Sequence, residues 1–442
     1  MVRTLPPGPP LPALVQAGLI LVGPLRFLYT CHQRYGDRFT LRIPGLGNLV
    51  YLTDRDDIRS VLRGDPAIFH AGEANAPIAE ILGQRSVVVL DGEQHQRLRG
   101  MMLPAFHGDS VRSQIAEMAA ITADDVTRWP VGEPFPLLPR MQAITLEVIL
   151  RTVFGVHDEG RLAALRTALP PMVEIGSPLT LLPPPRVLRN VGLWRRREQR
   201  RARAHALLHD EITRCRRDPN LDSRTDTLAM LLRSIDETGQ PMPDDELVDQ
   251  LVTLLLAGHE TTATALAWTF ERLTRYPALL DRTARAAAGG DDAWLDAVCK
   301  ESLRARPVVY EVVRRLTEPV QLGGYRIPAG TILTPYISLV HRSARYHPDP
   351  ETFRPQRYLD QRPDQLVWLP FGGGVRRCLG ATLAQVEMRT VLREVLRRVE
   401  LAPTTAPDEQ VKVRHVTLVP RQGAVVRVRR HITADGTHLR PE

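Results

Sequence analysis

Between Pro243 and Pro277 the chain runs without a proline, and its centre, "LVTLLLAG" at residues 251–258, is apolar on every side. Asp244 offers an N-cap after Met242-Pro243, so a helix is expected from there to Tyr276. About 32 residues of helix would span roughly 48 Å at 1.5 Å per residue. A surface helix of that length would show one apolar stripe, not an apolar girdle. The pattern therefore predicts a helix running through the middle of the molecule.

Most of the remaining pattern is also helical. It recurs at about 54–63, 93–128, 140–155, 158–172, 292–305 and 379–399, and a basic helix runs to about 217. Residues 38–53, "RFTLRIPGLGNLVYLT", alternate around a Pro-Gly break and suggest a β-hairpin. Short strands are expected at 311–336 and 410–430, an irregular segment at 70–92 and a proline-rich loop at 177–190. The predicted fold class is mainly α with small β-sheets. A chain of 442 residues, 43% hydrophobic, has ample material for a core. No repeat or low-complexity tract divides it, so 1–442 reads as a single domain with a proline-rich lead-in at 1–24.

The formal charge is +8, and all but two of the 58 basic residues are arginine. With many Ala and Pro, this follows a GC-rich genome more than a function. The densest cluster, Trp194 to Arg203, reads as a solvated helix face. No aromatic interleaving or nucleic-acid motif accompanies it, so no nucleic-acid partner is expected. Cys31, Cys215, Cys299 and Cys378 are far apart and show no C-x-x-C spacing, which argues against a disulfide framework or a zinc site and fits a reducing, cytoplasmic compartment. Residues Thr4 to Leu25 carry no charge, but prolines break the segment, and Leu11 to Gly23 is too short to span a bilayer with ease. No transmembrane anchor is expected; weak membrane contact stays open.

The chemistry-bearing residues gather in four stretches. "FGGGVRRCLG" at 371–380 places Cys378 just before a helical run, where free N–H groups and the macrodipole favour a thiolate. Gly372 to Gly374 allow a tight turn, and Gly380 leaves room for something flat against the helix start. Phosphate binding lacks the Lys-Ser/Thr that should follow. "AGHETT" at 257–262 puts Glu260 and Thr261 mid-helix, with a hydroxyl able to bond back to the carbonyl of Ala257 and Gly258 widening the groove. A carboxylate beside an alcohol there suits a proton relay. The zinc motif H-E-x-x-H fails because position 263 is Ala. Glu301 and Arg304 are an i, i+3 pair, and Phe353 to Tyr358, "FRPQRY", is a proline-rich loop; each is a weak signal alone.

In this order and spacing the four stretches resemble the cytochrome P450 family, over roughly residues 25–430. The F-x-x-G-x-R-x-C-x-G pattern is met by Phe371, Gly374, Arg376, Cys378 and Gly380, and A-G-x-[DE]-T-T by Ala257, Gly258, Glu260, Thr261 and Thr262. E-x-x-R is Glu301 and Arg304, joined from the later loop by Arg357; Gln356 stands where many members have Glu. The resemblance implies one haem b, with Cys378 as the axial thiolate on iron, an arrangement that favours O–O cleavage. It also implies that His95 and Arg99, one helical turn apart, Arg376, and Arg314 (with Arg315 as runner-up) clamp the haem propionates.

The implied activity is a monooxygenase that inserts one atom of O2 into a hydrophobic small molecule, with Thr261 and Glu260 managing proton delivery. The pocket would be lined by about 70–92, 250–265, 308–313 and 415–419, mostly Ala, Val, Leu and Ile, with Tyr310 and Glu311 as polar exceptions. Glu311 reaches either solvent or substrate. The loop at 177–190 resembles the family's mobile lid. Loose likenesses to bacterial members suggest a terpenoid, fatty acid or polyketide-like substrate in secondary metabolism. Too few residues follow Cys378 for a flavin reductase domain, so electrons are expected from a ferredoxin and its reductase, meeting a monomer. A haem sensor or carrier, which needs no acid–alcohol pair, and a peroxide-driven enzyme, which Thr261 disfavours, are the alternatives.

Overall fold

The protein is described by a computed structural model that covers residues 4–173, 192–414 and 416–432. The expected central helix is Asp244–Arg275, 32 residues long. Asp244 is its first helical residue and not the cap: Pro243 holds the N-cap position with no side-chain bond, and the Asp244 carboxylate instead pairs with Arg216. An acidic first turn of Asp244, Asp245 and Glu246 complements the helix dipole.

Two apolar cores divide this helix between them. Its C-terminal half, with Leu266, Phe270 and Leu273, packs into a cluster with Trp294, Met388 and Val391. Its N-terminal half, with Leu251 and Leu255, joins Leu98, Leu150 and Phe154. Each half is thus enclosed by its own core, which is why the sequence shows no polar stripe.

The hairpin Arg38–Ile43 and Gly47–Leu52 forms as expected, with Phe39 opposite Tyr51. It is the edge of a five-stranded sheet whose next members are Ile332–Pro335, Arg314–Leu316 and Phe69–His70. The pairing of Gly47–Leu52 with Ile332–Pro335 is parallel, and the others are antiparallel. The sheet therefore fixes Arg314 beside a strand drawn from the start of the chain.

One expectation changes. Residues 70–92 are not wholly irregular: they hold short helical turns at Ala71–Ala74, Ala76–Ile78 and Ala79–Leu82. The backbone N–H groups of Ala71, Gly72 and Glu73 all donate to the Asp91 carboxylate, which ties the segment down. A helix at Pro277–Gly289 was not read from the sequence, although Pro277 opens it and left-handed Gly290 closes it. The lead-in contains a helix, Ala13–Val22, followed by Pro24–Tyr35. The lid expected at 177–190 lies outside the described residues. Among the described residues no helix is long and apolar enough to cross a membrane.

Candidate active site

The helix Ala381–Arg398 begins three residues after Cys378, with Gly380 at its N-cap. The loop before it closes through the Cys378 N–H, which donates to the Phe371 carbonyl at 2.9 Å. Gly374, at φ 66°, lies so close to helix Arg55–Arg63 that a Cβ would sit 1.7 Å from the Leu62 carbonyl oxygen. Only glycine permits that seat. Cys378 is the one exposed thiol among the four cysteines; the other three are buried. Its exposure is to an internal surface, because surrounding protein still pushes its pKa up, against the Gly380 N–H, Arg377 and Arg99, which pull it down. Burial outweighs the helix start here, and a metal bound at the sulfur would favour the thiolate.

Around this loop lies a group of basic residues. His95 and Arg99 share the helix Gly92–Met102, and Arg314 and Arg376 approach from the sheet and the cysteine loop. His95 is held neutral, its pKa lowered to about 4 by burial and then by Arg376 and Arg99. Arg314 is buried, and its side chain donates to the Val313 carbonyl at 2.7 Å. Burial, and then Arg376, lowers its pKa to about 10. Arg376 donates to the Leu90 carbonyl at 2.6 Å and pairs with Asp91; Arg99 donates to the Arg377 carbonyl at 2.7 Å. Arg315, the runner-up, pairs instead with Glu73 at 3.3 Å. Several cations with the single carboxylate of Asp91 among them would be stabilised by further anionic groups.

Opposite, the middle of the central helix also shows an internal surface: Ala257 is exposed although Leu255 and Thr262 are buried. The Thr261 hydroxyl donates to the Ala257 carbonyl at 2.5 Å, the back-bond expected. Gly258 acts differently from expectation: it seats the helix against a neighbour, since a Cβ there would lie 3.1 Å from Ile149 Cδ1. Glu260 is not aimed at Thr261. Its carboxylate accepts from Gln142 Nε2 at 2.8 Å and from Arg414 at 3.0 Å.

These residues fit a haem: an accessible buried thiol, a cluster of cations suited to two carboxylates, and a Gly380 with no atom within 4 Å of where a Cβ would stand. The cytochrome P450 family model matches residues 6–426. The chain is a cytochrome P450. It is therefore a haem b monooxygenase with a cysteine thiolate on iron. A putative cytochrome P450 135B1 of Mycobacterium tuberculosis is 52% identical over 432 residues, 96% of this chain and 91% of that protein. A putative cytochrome P450 135A1 of the same species is 40% identical over 426 residues, covering 96% and 95%. Among solved structures, retinoic acid-bound cyanobacterial CYP120A1 superposes with a TM-score of 0.81 at 24% identity, covering 96% of this chain and 99% of that one.

In this P450 the E-x-x-R pair is structural. Glu301 and Arg304 are fully buried; Arg304 forks onto the Glu301 carboxylate at 2.8 and 2.9 Å and donates to the His341 carbonyl at 3.0 Å. Glu301 also accepts the Arg354 N–H at 2.8 Å and pairs with Arg357 at 3.1 Å. The Arg357 contact is an ion pair without hydrogen-bond geometry, because its Nε finds no acceptor at a good angle.

Glu311 does not reach bulk solvent. Burial raises its pKa to about 7, a nearby Tyr51 lowers it slightly, and Oε2 has no partner. Tyr310 and Tyr336 lie against the same carboxyl, each with its phenol pKa raised. Val309, on the same segment, bridges to Thr417, which brings two of the expected pocket-lining stretches together. A polar cleft of about 540 Å³, lined by Glu117, His157 and Arg224 among others, shares no residue with this site.

Sequence reading missed Asp91, Gln142 and Arg414. Asp91 directly precedes Gly92 at a helix start, a position where an acidic residue is a legible signal. Nothing in sequence links Arg414 to Glu260, since they are 154 positions apart.

Proposed function

We propose that Cys378 is the axial ligand, that His95, Arg99, Arg314 and Arg376 hold the propionates, and that the enzyme hydroxylates or epoxidises an apolar small molecule. The observation that carries the reading is the Cys378 loop: one accessible thiol, closed in by Gly374 on Leu62 and faced by buried, under-compensated cations. Phe371 packs against Trp368 with ring centroids 6.0 Å apart and so braces the loop. Ala257 and Gly380 provide the flat, small-residue walls.

When bound, the haem supplies O2 activation. The chain's own residues supply the proton. Thr261 Oγ1 holds a proton that it can turn away from the Ala257 carbonyl, a bond that costs little to exchange. Glu260 lies behind it, and Arg414, about a third exposed, links that carboxylate to the surface. Glu260 therefore restores the proton from outside by way of water, and does not touch Thr261 directly.

The substrate is apolar, of terpenoid, fatty acid or polyketide-like class, in bacterial secondary metabolism. The Val309–Thr417 wall and the flanking Leu254 and Leu256 support an apolar ligand. A relative in fold that is named for bound retinoic acid, an isoprenoid acid, points the same way. The partner is a ferredoxin with its reductase, the enzyme acts as a monomer, and it works in the cytoplasm.

Reduced, CO-bound protein should show the absorption band diagnostic of thiolate ligation. Cys378→His should lose it, and Cys31→Ala, Cys215→Ala and Cys299→Ala should keep it. Cys31, Cys215 and Cys299 are all buried in the packed interior, so none of the three sulfurs is open to a haem. A retained band in Cys378→His overturns the ligand assignment. A panel of terpenes, fatty acids and polyketides scored by Soret shift tests the substrate class, and a response confined to polar compounds refutes it.

A further inference from the structure

The first helix is built inside out. Ala13–Val22 carries one polar side chain, Gln16, and that residue is buried. Gln16 Oε1 accepts the Arg42 N–H at 2.9 Å, and its Nε2 donates to the Leu11 carbonyl at 2.8 Å. The helix thus docks on the sheet through its amide, with Ile20 packed beside it.

The opposite side is apolar and open. Leu14 is 77% exposed, Leu21 71% and Val22 91%, and Leu11, Val15 and Leu19 are exposed as well. At 3.6 residues per turn the five within the helix, Leu14, Val15, Leu19, Leu21 and Val22, fall in one arc of about 160°. Scattered exposed leucines need no explanation, but a continuous apolar face does.

Charge selects the occupant. No acidic residue occurs before Asp37, whereas Arg3, Arg26 and Arg34 do. Arg26, Tyr29 and Arg34 are all exposed on the next helix, Pro24–Tyr35. An apolar face followed by exposed arginines and an exposed tyrosine matches the chemistry of an anionic lipid surface, where the apolar side chains enter the acyl boundary and the cations meet headgroups. The helix is too short to span, so it lies in the plane of the surface.

We infer that this face seats the enzyme on an anionic bilayer, through Leu14, Val15, Leu21 and Val22 with Arg26 at its edge. The contact is peripheral and reversible. It does not depend on the haem assignments, so it stands or falls separately from them.

Holoprotein should be floated with vesicles of phosphatidylcholine alone and with vesicles that also contain phosphatidylglycerol. It should rise with the anionic vesicles, and less so with the neutral ones. Leu14→Glu with Leu21→Glu should stay at the bottom in both cases. Both sites are exposed, so the Soret band should be unchanged and report an intact fold. Arg26→Glu should weaken the anionic partition by about fivefold or more per charge removed. No flotation of the wild type overturns the inference. So does flotation that survives the double substitution. A dimer in solution that the double substitution dissociates, without any flotation, would assign the face to a second copy of the chain and overturn it too.

Discussion

Replacing Arg304 by alanine should cost more than any other single truncation outside the cysteine loop. The guanidinium is fully buried, and it supplies two of the bonds to Glu301 and one to the His341 carbonyl. After its removal Glu301 keeps only the Arg354 N–H and the ill-angled Arg357. Stranding a buried charge costs roughly 3–5 kcal/mol. Domains are stable by about 5–15 kcal/mol, so the loss takes up to most of that margin. Arg304→Lys keeps the charge but loses the fork, and should cost about 1–3 kcal/mol. The telling variant is Glu301→Leu with Arg304→Met, which removes both charges. Arg357 can then turn to the carbonyls of Pro348 and Asp349, which it already reaches at 3.0 and 3.4 Å. The double variant should therefore lose less than the sum of Glu301→Leu and Arg304→Met, by about 2 kcal/mol. Urea unfolding followed by far-UV circular dichroism, with haem content measured alongside, gives these numbers. A cost below about 1 kcal/mol for Arg304→Ala, or additive single variants, would refute the burial argument.

Gly374→Ala should prevent haem loading, because φ is 66° and the new Cβ would meet the Leu62 carbonyl; haem-to-protein absorbance measures it, and normal loading would show that the loop can shift. Thr261→Ala should keep haem and substrate binding yet lower product formed per reductant consumed, with hydrogen peroxide rising; an unchanged ratio means that the proton arrives without this hydroxyl. Arg414→Ala should slow turnover by releasing Glu260, and should leave the Soret band in place; unaltered turnover removes Glu260 from the proton path. Glu387 is buried, its Oε1 lacks a partner, and its pKa is raised to about 8. The folded protein therefore binds the extra proton, so this carboxyl's contribution is present below the ordinary glutamate range and fades as pH rises through about 8. Glu387→Gln should flatten that decline in urea midpoints between pH 5 and about 8.5, and identical pH profiles would falsify the assignment.

The parts legible in the sequence were those set by local pattern. An apolar girdle without proline told of the central helix, and glycines around Cys378 told of a close-packed loop. What escaped was set by distance along the chain. The orientation of Glu260 depends on Arg414, and the fate of Glu311 depends on phenols at positions 51, 310 and 336. Gly258 shows a third kind of failure: a missing side chain reads as open space until Ile149 is seen against it. The helix Pro277–Gly289 escaped for a simpler reason, since the tract "ARAAAGG" near its end gives no periodic apolar signal.

The parallel pairing of Gly47–Leu52 with Ile332–Pro335 has a consequence during synthesis. The hairpin emerges early, but its partner strand leaves the ribosome about 280 residues later, which at 5–20 residues per second is on the order of tens of seconds. Through that interval Val50 and Leu52, buried in the finished sheet, lack the cover of Leu316, Leu322, Ile327 and Leu333. The open hairpin edge is then the part of the nascent chain most able to pair with a neighbour. Arg314 is positioned by the same strand and Gly374 comes later still, so the haem seat is assembled last. Yield in a heterologous host should therefore respond to translation speed and chaperone supply before it responds to haem supply.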